Sequence, residues 1–306
     1  MKGIAFTPIK FGISFNVNHF NQAGALVHVY TDGSVLVNHG GTEMGQGVNT
    51  KVAQVVAHEL RISLAAVRCT ATDTSKVANT SATAASTGAD LNGKAAQDAA
   101  RKIRARLDVL ADAKFGGRRD MPFIDLVQAA YVARVQLWSD GFYATPGLSW
   151  DRATMTGKPF FYFAYGAAVS EVIVDTLTGE HRLLAVDVLH DVGASLNPAI
   201  DIGQVEGAFV QGYGWLTMEE LVWHPKTGAL LTHAPSTYKI PTANDTPAHF
   251  KVALYDAPNP ADTIHRSKAV GEPPLLLPFS ALLAIRDAVS AVGGHRIDPP
   301  LRAPAT

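Results

Sequence analysis

Two loops built almost wholly of small residues, each running straight into a helical stretch, constrain this 306-residue chain more than any other feature. The first, Gly40-Gly41-Thr42-Glu43-Met44-Gly45-Gln46-Gly47, precedes Val48, Val52, Val55, Val56 and Leu60, which recur at helical spacing. The second, Asn79 to Gly88, is almost entirely Ser, Thr, Ala and Asn. It opens a long Ala-, Lys- and Arg-rich helix over about 90–113. A small-residue loop that ends at a helix start turns backbone N–H groups toward whatever lies in front of it, and the helix dipole adds to the effect. Each loop is therefore expected to cradle an anionic group such as a phosphate. Gly45, Gln46 and Gly47 form one cradle and Thr83 to Gly88 the other, where Ala84 and Ala85 let a ligand approach the backbone closely. Ordinary surface turns share this composition, so the loops alone name no ligand. Neither GxGxxG nor GxxxxGK[ST] occurs, and nicotinamide or ATP binding is unsupported.

Around these loops the strands pair locally. Leu26 to Asn38 alternates about an Asp32-Gly33 turn, Val67 to Thr72 reads as another strand, and Phe161 to Val174 and Arg182 to Leu189 flank Asp175–Gly179 as a hairpin. Asn197-Pro198 starts a segment that turns helical through Gln204 to Leu221. There is no regular βαβ alternation and no repeat at a fixed period. The expected class is α+β, mixed sheets with packed helices. With 47% hydrophobic and 17% charged residues, a large core is assured in one domain or two, with an internal break near 114–122.

A net charge of −1 gives no global field for nucleic acid or an anionic membrane, so recognition must be local. The longest apolar run, Leu275 to Val289, is interrupted by Pro278 and carries Arg286 and Asp287, short of the roughly 20 residues of a membrane span. Met1 to Lys10 lacks the apolar core of a signal peptide, and with one cysteine the cytoplasm is the expected compartment. That cysteine, Cys69, is expected to be buried and inert. A single thiol cannot hold an iron–sulfur cluster or a multi-cysteine zinc site.

Glu272, in Val270-Gly271-Glu272-Pro273-Pro274, precedes a strongly apolar helix expected over about 275–289. A residue before proline is pushed out of the helical region, so Glu272 is expected on an extended turn, partly desolvated, as a general base suited to neutral pH. A carboxylate at a helix start meeting free N–H groups is the plainer alternative. Gln204 offers donors and an acceptor that suit a heterocycle edge. His58-Glu59 begins like HExxH, but position 62 is Ile, and the 11 histidines show no ligand spacing. Ser86 and Ser267-Lys268 lack a sequence-adjacent base. Phe11 and Phe15 flank Gly12 as an aromatic pair suited to a slot or to core packing.

The segments Lys10 to Phe15, Asn21 to Ala25, His39 to Gly47, Asn79 to Asp90, Ser195 to Gly212, Ser236 to Pro241 and Ser267 to Leu275 resemble, in order, the molybdenum-binding subunit of the xanthine dehydrogenase family. The resemblance implies that residues 1–306 form the C-terminal part of the molybdopterin-binding region, the second molybdopterin-binding subdomain of the molybdenum hydroxylases. It implies a molybdenum atom carried by molybdopterin, with Met44, Gly45, Gln46, Thr83, Ala84, Ala85, Ser86, Thr87, Gly88, Ala89 and Gln204 as cofactor contacts. Ala85 is implied beside the metal by its backbone alone, Phe15 and Asn16 beside the purine, and Glu272 as the base that takes a proton from a hydroxyl on the molybdenum.

Hydroxylation of xanthine or hypoxanthine with water-derived oxygen is the implied reaction. An aldehyde or other N-heterocycle hydroxylase of the same superfamily, or a non-catalytic fragment of a split or truncated subunit, are the alternatives. Electrons are implied to leave through iron–sulfur clusters and FAD on partner chains or domains in a hetero-oligomer. Two departures stand out. Family members carry further metal-proximal and substrate-orienting residues upstream of a segment like this one, and Asn16 stands where the family has threonine. A core shared with that upstream half implies exposed apolar surface and poor solubility in isolation.

Overall fold

The structure, a computed structural model, describes residues 1–118 and 120–306. Two four-stranded sheets carry the fold, each with helices packed against it. The first sheet is formed by β2 (Gln22–Val29), β3 (Val35–His39), β4 (Val67–Cys69) and β5 (Trp138–Ala144), in the order β4-β3-β2-β5. The second runs β1 (Lys2–Ile13), β8 (Tyr162–Val174), β9 (His181–His190), β10 (His249–Leu254), and β6 (Ser149–Asp151) with β7 (Thr156–Lys158) makes a separate small hairpin. Each large sheet is antiparallel except at one edge, where β4 runs parallel to β3 and β10 parallel to β9. This is the mixed α+β architecture that the local strand pairing implied.

Alternation decides which face is covered. In β2, Ala23, Ala25, Val27 and Val29 are buried and their neighbours are half-buried. That face packs on α1 (Val48–Leu60), α2 (Gly88–Phe115) and α3 (Phe123–Val132), where Val52, Val56, Ile103 and Leu107 complete one core. Fully burying each such side chain contributes roughly 1.5–3 kcal/mol. A second core, including Phe209, Leu277 and Ile285, lies between the other sheet and α4 (Pro198–Thr217) and α5 (Phe279–Ala291).

Several boundaries differ from those read in the sequence. α4 starts at Pro198 under an Asn197 cap, whose Oδ1 accepts from the Ile200 N–H at 3.2 Å, and ends at Thr217 rather than Leu221. The helix expected over 275–289 is two pieces, a 3-10 turn over Pro273–Leu276 and α5 from Phe279, because Pro278 has no N–H to continue the ladder. Pro273–Ala291 is long and apolar enough, by composition, to cross a membrane, but Ala281, Ala284 and Ala288 are buried against β1 and β8. Of the stretch 114–122, residues 114–115 end α2 and the rest lead to α3; Leu126 and Val127 beyond it share one core with Ala111 before it, and Arg119 lies outside the described residues.

The layers are tied together by polar links. The Tyr162 hydroxyl on β8 donates to the Asp90 carboxylate on α2 at 2.6 Å, and Lys51 on α1 pairs with Asp201 on α4 at 2.6 Å. Both links lie beside the helix starts that the two small-residue loops feed.

Candidate active site

A cavity of about 160 Å³ opens where these elements meet. The two loops supply Met44, Gln46, Thr83, Ala84, Ser86, Gly88 and Ala89 to its wall, α4 supplies Gln204, and the segment 267–272 supplies Lys268 and Glu272. The loops touch directly, with the Thr42 N–H donating to Thr83 Oγ1 at 2.9 Å. Gln204 Nε2 reaches the Gly45 carbonyl at 3.4 Å.

Glu272 is half-buried and fastened to the second loop from both ends. Its carboxylate accepts from the Ala85 N–H at 3.1 Å, while its own N–H donates to Ser86 Oγ at 2.7 Å. The backbone departs from the extended turn expected before proline: φ is −85° and ψ −39°, in the helical region. The Ser86 hydroxyl at its N–H and the Leu275 N–H at its carbonyl (3.0 Å) hold it there against the steric preference. Ala85 and Ser86 themselves carry positive φ, 53° and 54°, a strained arrangement for residues other than glycine. The second loop thus stores strain at the point where it grips Glu272.

The first loop differs from the open amide cradle expected of it. Glu43 Oε1 accepts from the N–H groups of Gly45 and Gly47, both at 2.9 Å, and its Oε2 from Asn49 at 3.0 Å. Burial pushes the Glu43 pKa up, but these N–H groups outweigh it and hold the carboxyl below its ordinary value. The Met44 N–H is likewise taken by Gln46 Oε1 at 2.5 Å. The cradle at the start of α1 is thus filled by the chain's own carboxylate.

At α2 the situation is reversed. Thr87 makes no side-chain cap, its hydroxyl donating instead to the Ala84 carbonyl, and the Leu91 N–H pairs with the Thr87 carbonyl as the helical ladder begins. Gly88 and Ala89 of the first turn line the cavity, and among the described residues their N–H groups have no partner outside the helix.

Two charged residues, Lys51 and Asp201, escaped the sequence reading, and Lys268, weighed there only beside Ser267, turns out to be ion-paired. Lys51 and Asp201 line the cavity as a buried pair, and Ser195 Oγ donates to the same Asp201. Lys268 Nζ pairs with Asp191 at 2.5 Å and donates to the Phe163 carbonyl at 3.0 Å. Lys51 was detectable in principle: it falls within the apolar register of Val48, Val52 and Val55, where a lysine demands a partner. Asp90, behind the second loop, has its carboxyl pushed up to about 7 by burial, against the opposing pull of Tyr162 and two lysines. Cys69 is half-buried rather than buried as expected; that burial still pushes its thiol up to about 11, with Glu43 adding to it.

Phe15 and Asn16 are not part of this wall. Phe15 follows β1, exchanges hydrogen bonds with Asn21 at 2.8 Å and meets Phe20 edge-to-face at 5.5 Å; Asn16 is exposed.

A family model described as "Molybdopterin cofactor-binding domain" matches residues 1–247. Xanthine dehydrogenase from Dictyostelium discoideum is 53% identical over 294 residues, 95% of this chain and 21% of that protein. Xanthine dehydrogenase from Oryza sativa subsp. japonica is 49% identical over 314 residues, covering 100% of this chain, Glu272 included, and 23% of that protein. Xanthine dehydrogenase/oxidase from Mus musculus is 52% identical over 97% of this chain and 22% of its own length. The chain spans about a fifth of the length of these curated relatives. Among solved structures, quinoline 2-oxidoreductase from Pseudomonas putida 86 superposes with a TM-score of 0.81 at 23% identity, over 95% of this chain and 39% of that one. Aldehyde oxidoreductase from Desulfovibrio gigas does so at 0.81 and 23%, over 99% and 31%.

Proposed function

Because the chain belongs to the molybdopterin cofactor-binding domain family, we propose that it forms one wall of the active site of a molybdenum hydroxylase that oxidises xanthine or hypoxanthine. The purine assignment follows the curated relatives, near 50% identical along almost the whole chain. The observation that carries the reading is the double attachment of Glu272 to the Ala85-Ser86 turn at the cavity wall.

The residues present suit the cofactor. The unclaimed first-turn amides of α2 suit its anionic end, and Gln46, Gln204 and the Met44 side chain suit its pterin edge. When bound, molybdenum–molybdopterin supplies oxygen transfer and two-electron redox chemistry. The chain's own part is to hold a base. The Ala85 N–H fixes one carboxylate oxygen of Glu272 and leaves the other, Oε2, to take a proton from the oxygen nucleophile. Phe15 and Asn16 are assigned to the purine's side, where residues beyond this chain complete the pocket. Iron–sulfur clusters and FAD on partner domains or chains carry the electrons away, in a cytoplasmic hetero-oligomer.

Glu272→Gln tests the reading in the assembled enzyme, since glutamine keeps the oxygen that accepts from Ala85. Turnover of xanthine is expected to fall by about 10²–10⁴ while molybdenum and pterin content stay at wild-type levels. Turnover within about threefold of wild type would refute the base assignment.

A further inference from the structure

Outside the cavity, α1 ends in His58 and Glu59, and the 3-10 turn Ile264–Arg266 brings His265 against them from far along the chain. The nitrogen and oxygen atoms these three side chains offer all lie within 4.8 Å of one another. His265 Nε2 stands 3.9 Å from Glu59 Oε1, and the rings of His58 and His265 meet edge-to-face at 4.8 Å. Bound to zinc at about 2.1 Å each, such atoms lie roughly 3.4 Å apart, a closure within reach of side-chain rotation.

Two further observations point to a ligand. His265 Nε2 is buried and makes no hydrogen bond among the described residues, although buried ring nitrogens normally find partners. Its backbone is also held in a left-handed conformation (φ 45°, ψ 30°), followed by Arg266 at φ 61°, strain that persists only where the surroundings impose it. The Arg266 carbonyl accepts from Ala194 at 2.9 Å and from Asn259 at 2.8 Å, which fixes the turn.

Glu59 is oriented from behind. Gln97 Nε2 donates to its Oε1 at 2.5 Å, and Arg101 donates to both oxygens at 2.9 and 3.2 Å. Such outer support is typical of ligating carboxylates. Arg101 and Lys94, the latter paired with Asp262 at 3.2 Å, add positive charge nearby. A hard cation that relies on carboxylate charge is disfavoured there, whereas one that seeks imidazole tolerates it.

We propose that His58, Glu59 and His265 bind one divalent transition cation, zinc or a similar imidazole-seeking ion, with water in the remaining position. The ion ties the end of α1 to the turn that leads into Lys268 and Glu272. The HExxH comparison missed the site because its third ligand follows in space, not at the fourth residue.

Equilibrium dialysis of the full chain against micromolar Zn²⁺, followed by elemental analysis, tests this. Wild type is expected to retain one zinc per chain that His58→Gln and His265→Gln each lose, with affinity reduced about tenfold or more. His295→Gln, an exposed histidine paired with Asp287, is expected to retain it. Should the His265 variant fail to fold, His58, which is exposed, still decides the matter. Equal zinc in wild type and His58→Gln, or none in wild type, would overturn the proposal.

Discussion

His190 lies wholly inside the molecule, and neither of its ring nitrogens has a hydrogen-bond partner among the described residues. Burial pushes its pKa down to about 4, against the pull of Asp191 and Asp201. Because the folded value lies below the unfolded one near 6.5, the unfolded chain binds the proton first. The stability tied to His190 is therefore complete above about 6.5 and lost as pH falls through about 4, on the order of 3 kcal/mol across that window. Asp90 has the opposite sign: its carboxyl is raised to about 7, so its contribution is complete below its unfolded value and lost as pH rises through about 7. A single pH–stability curve mixes the two, and a difference measurement separates them. His190→Leu is expected to melt higher than wild type at pH 5, with the gap narrowing toward pH 8. Parallel curves from pH 5 to 8 would contradict this account of His190. None of this was legible in sequence, because nothing local to His190 reports its burial. Lys51 was legible, since a charge inside an apolar stripe is visible from the register.

At the scale of elements, two helices lie on their sheets at glycine. A Cβ on Gly141 of β5 would stand 2.0 Å from the Ala95 carbonyl oxygen of α2, and one on Gly3 of β1 would stand 2.1 Å from that of Ala284 of α5. Backbone cannot yield there as a flexible side chain can. Gly141→Ala is expected to cost about 1–3 kcal/mol, read as a lowered denaturant midpoint. Gly203→Ala, in exposed helix with nothing within 4 Å, is expected to be neutral or to stabilise by about 0.5–1 kcal/mol. Equal effects from both substitutions would contradict the packing argument. The hairpins and the amphipathic helices were legible because periodicity reports burial. β1, β5 and β10 were not assigned, since their partners are distant in sequence and only pairing defines them. The helical backbone of Glu272 was misread for a related reason: the local pre-proline preference yields to hydrogen bonds from residues far away and just beyond.

Across the whole molecule, the site lies where two separately cored layers meet, so neither layer alone contains it. Trp215, Leu221, Trp223, Leu231 and Ile240 are each exposed. Sequence motifs pointed to both loops, Gln204 and Glu272 of the cavity wall, but not to Lys51 or Asp201, nor to which loop keeps its amides free. That was decided by Glu43, whose side chain folds back on its own loop. If the start of α2 receives the anionic cofactor, as proposed, molybdenum content in the assembled enzyme reports on it. Ala89→Asp places a carboxylate in the first turn of α2, where it favours the helix yet competes for the same amides. Wild type is expected to carry close to one molybdenum and one pterin per chain, and Ala89→Asp about tenfold less of both with its fold retained. Full loading of the variant, or wild-type enzyme without molybdenum, would contradict the account.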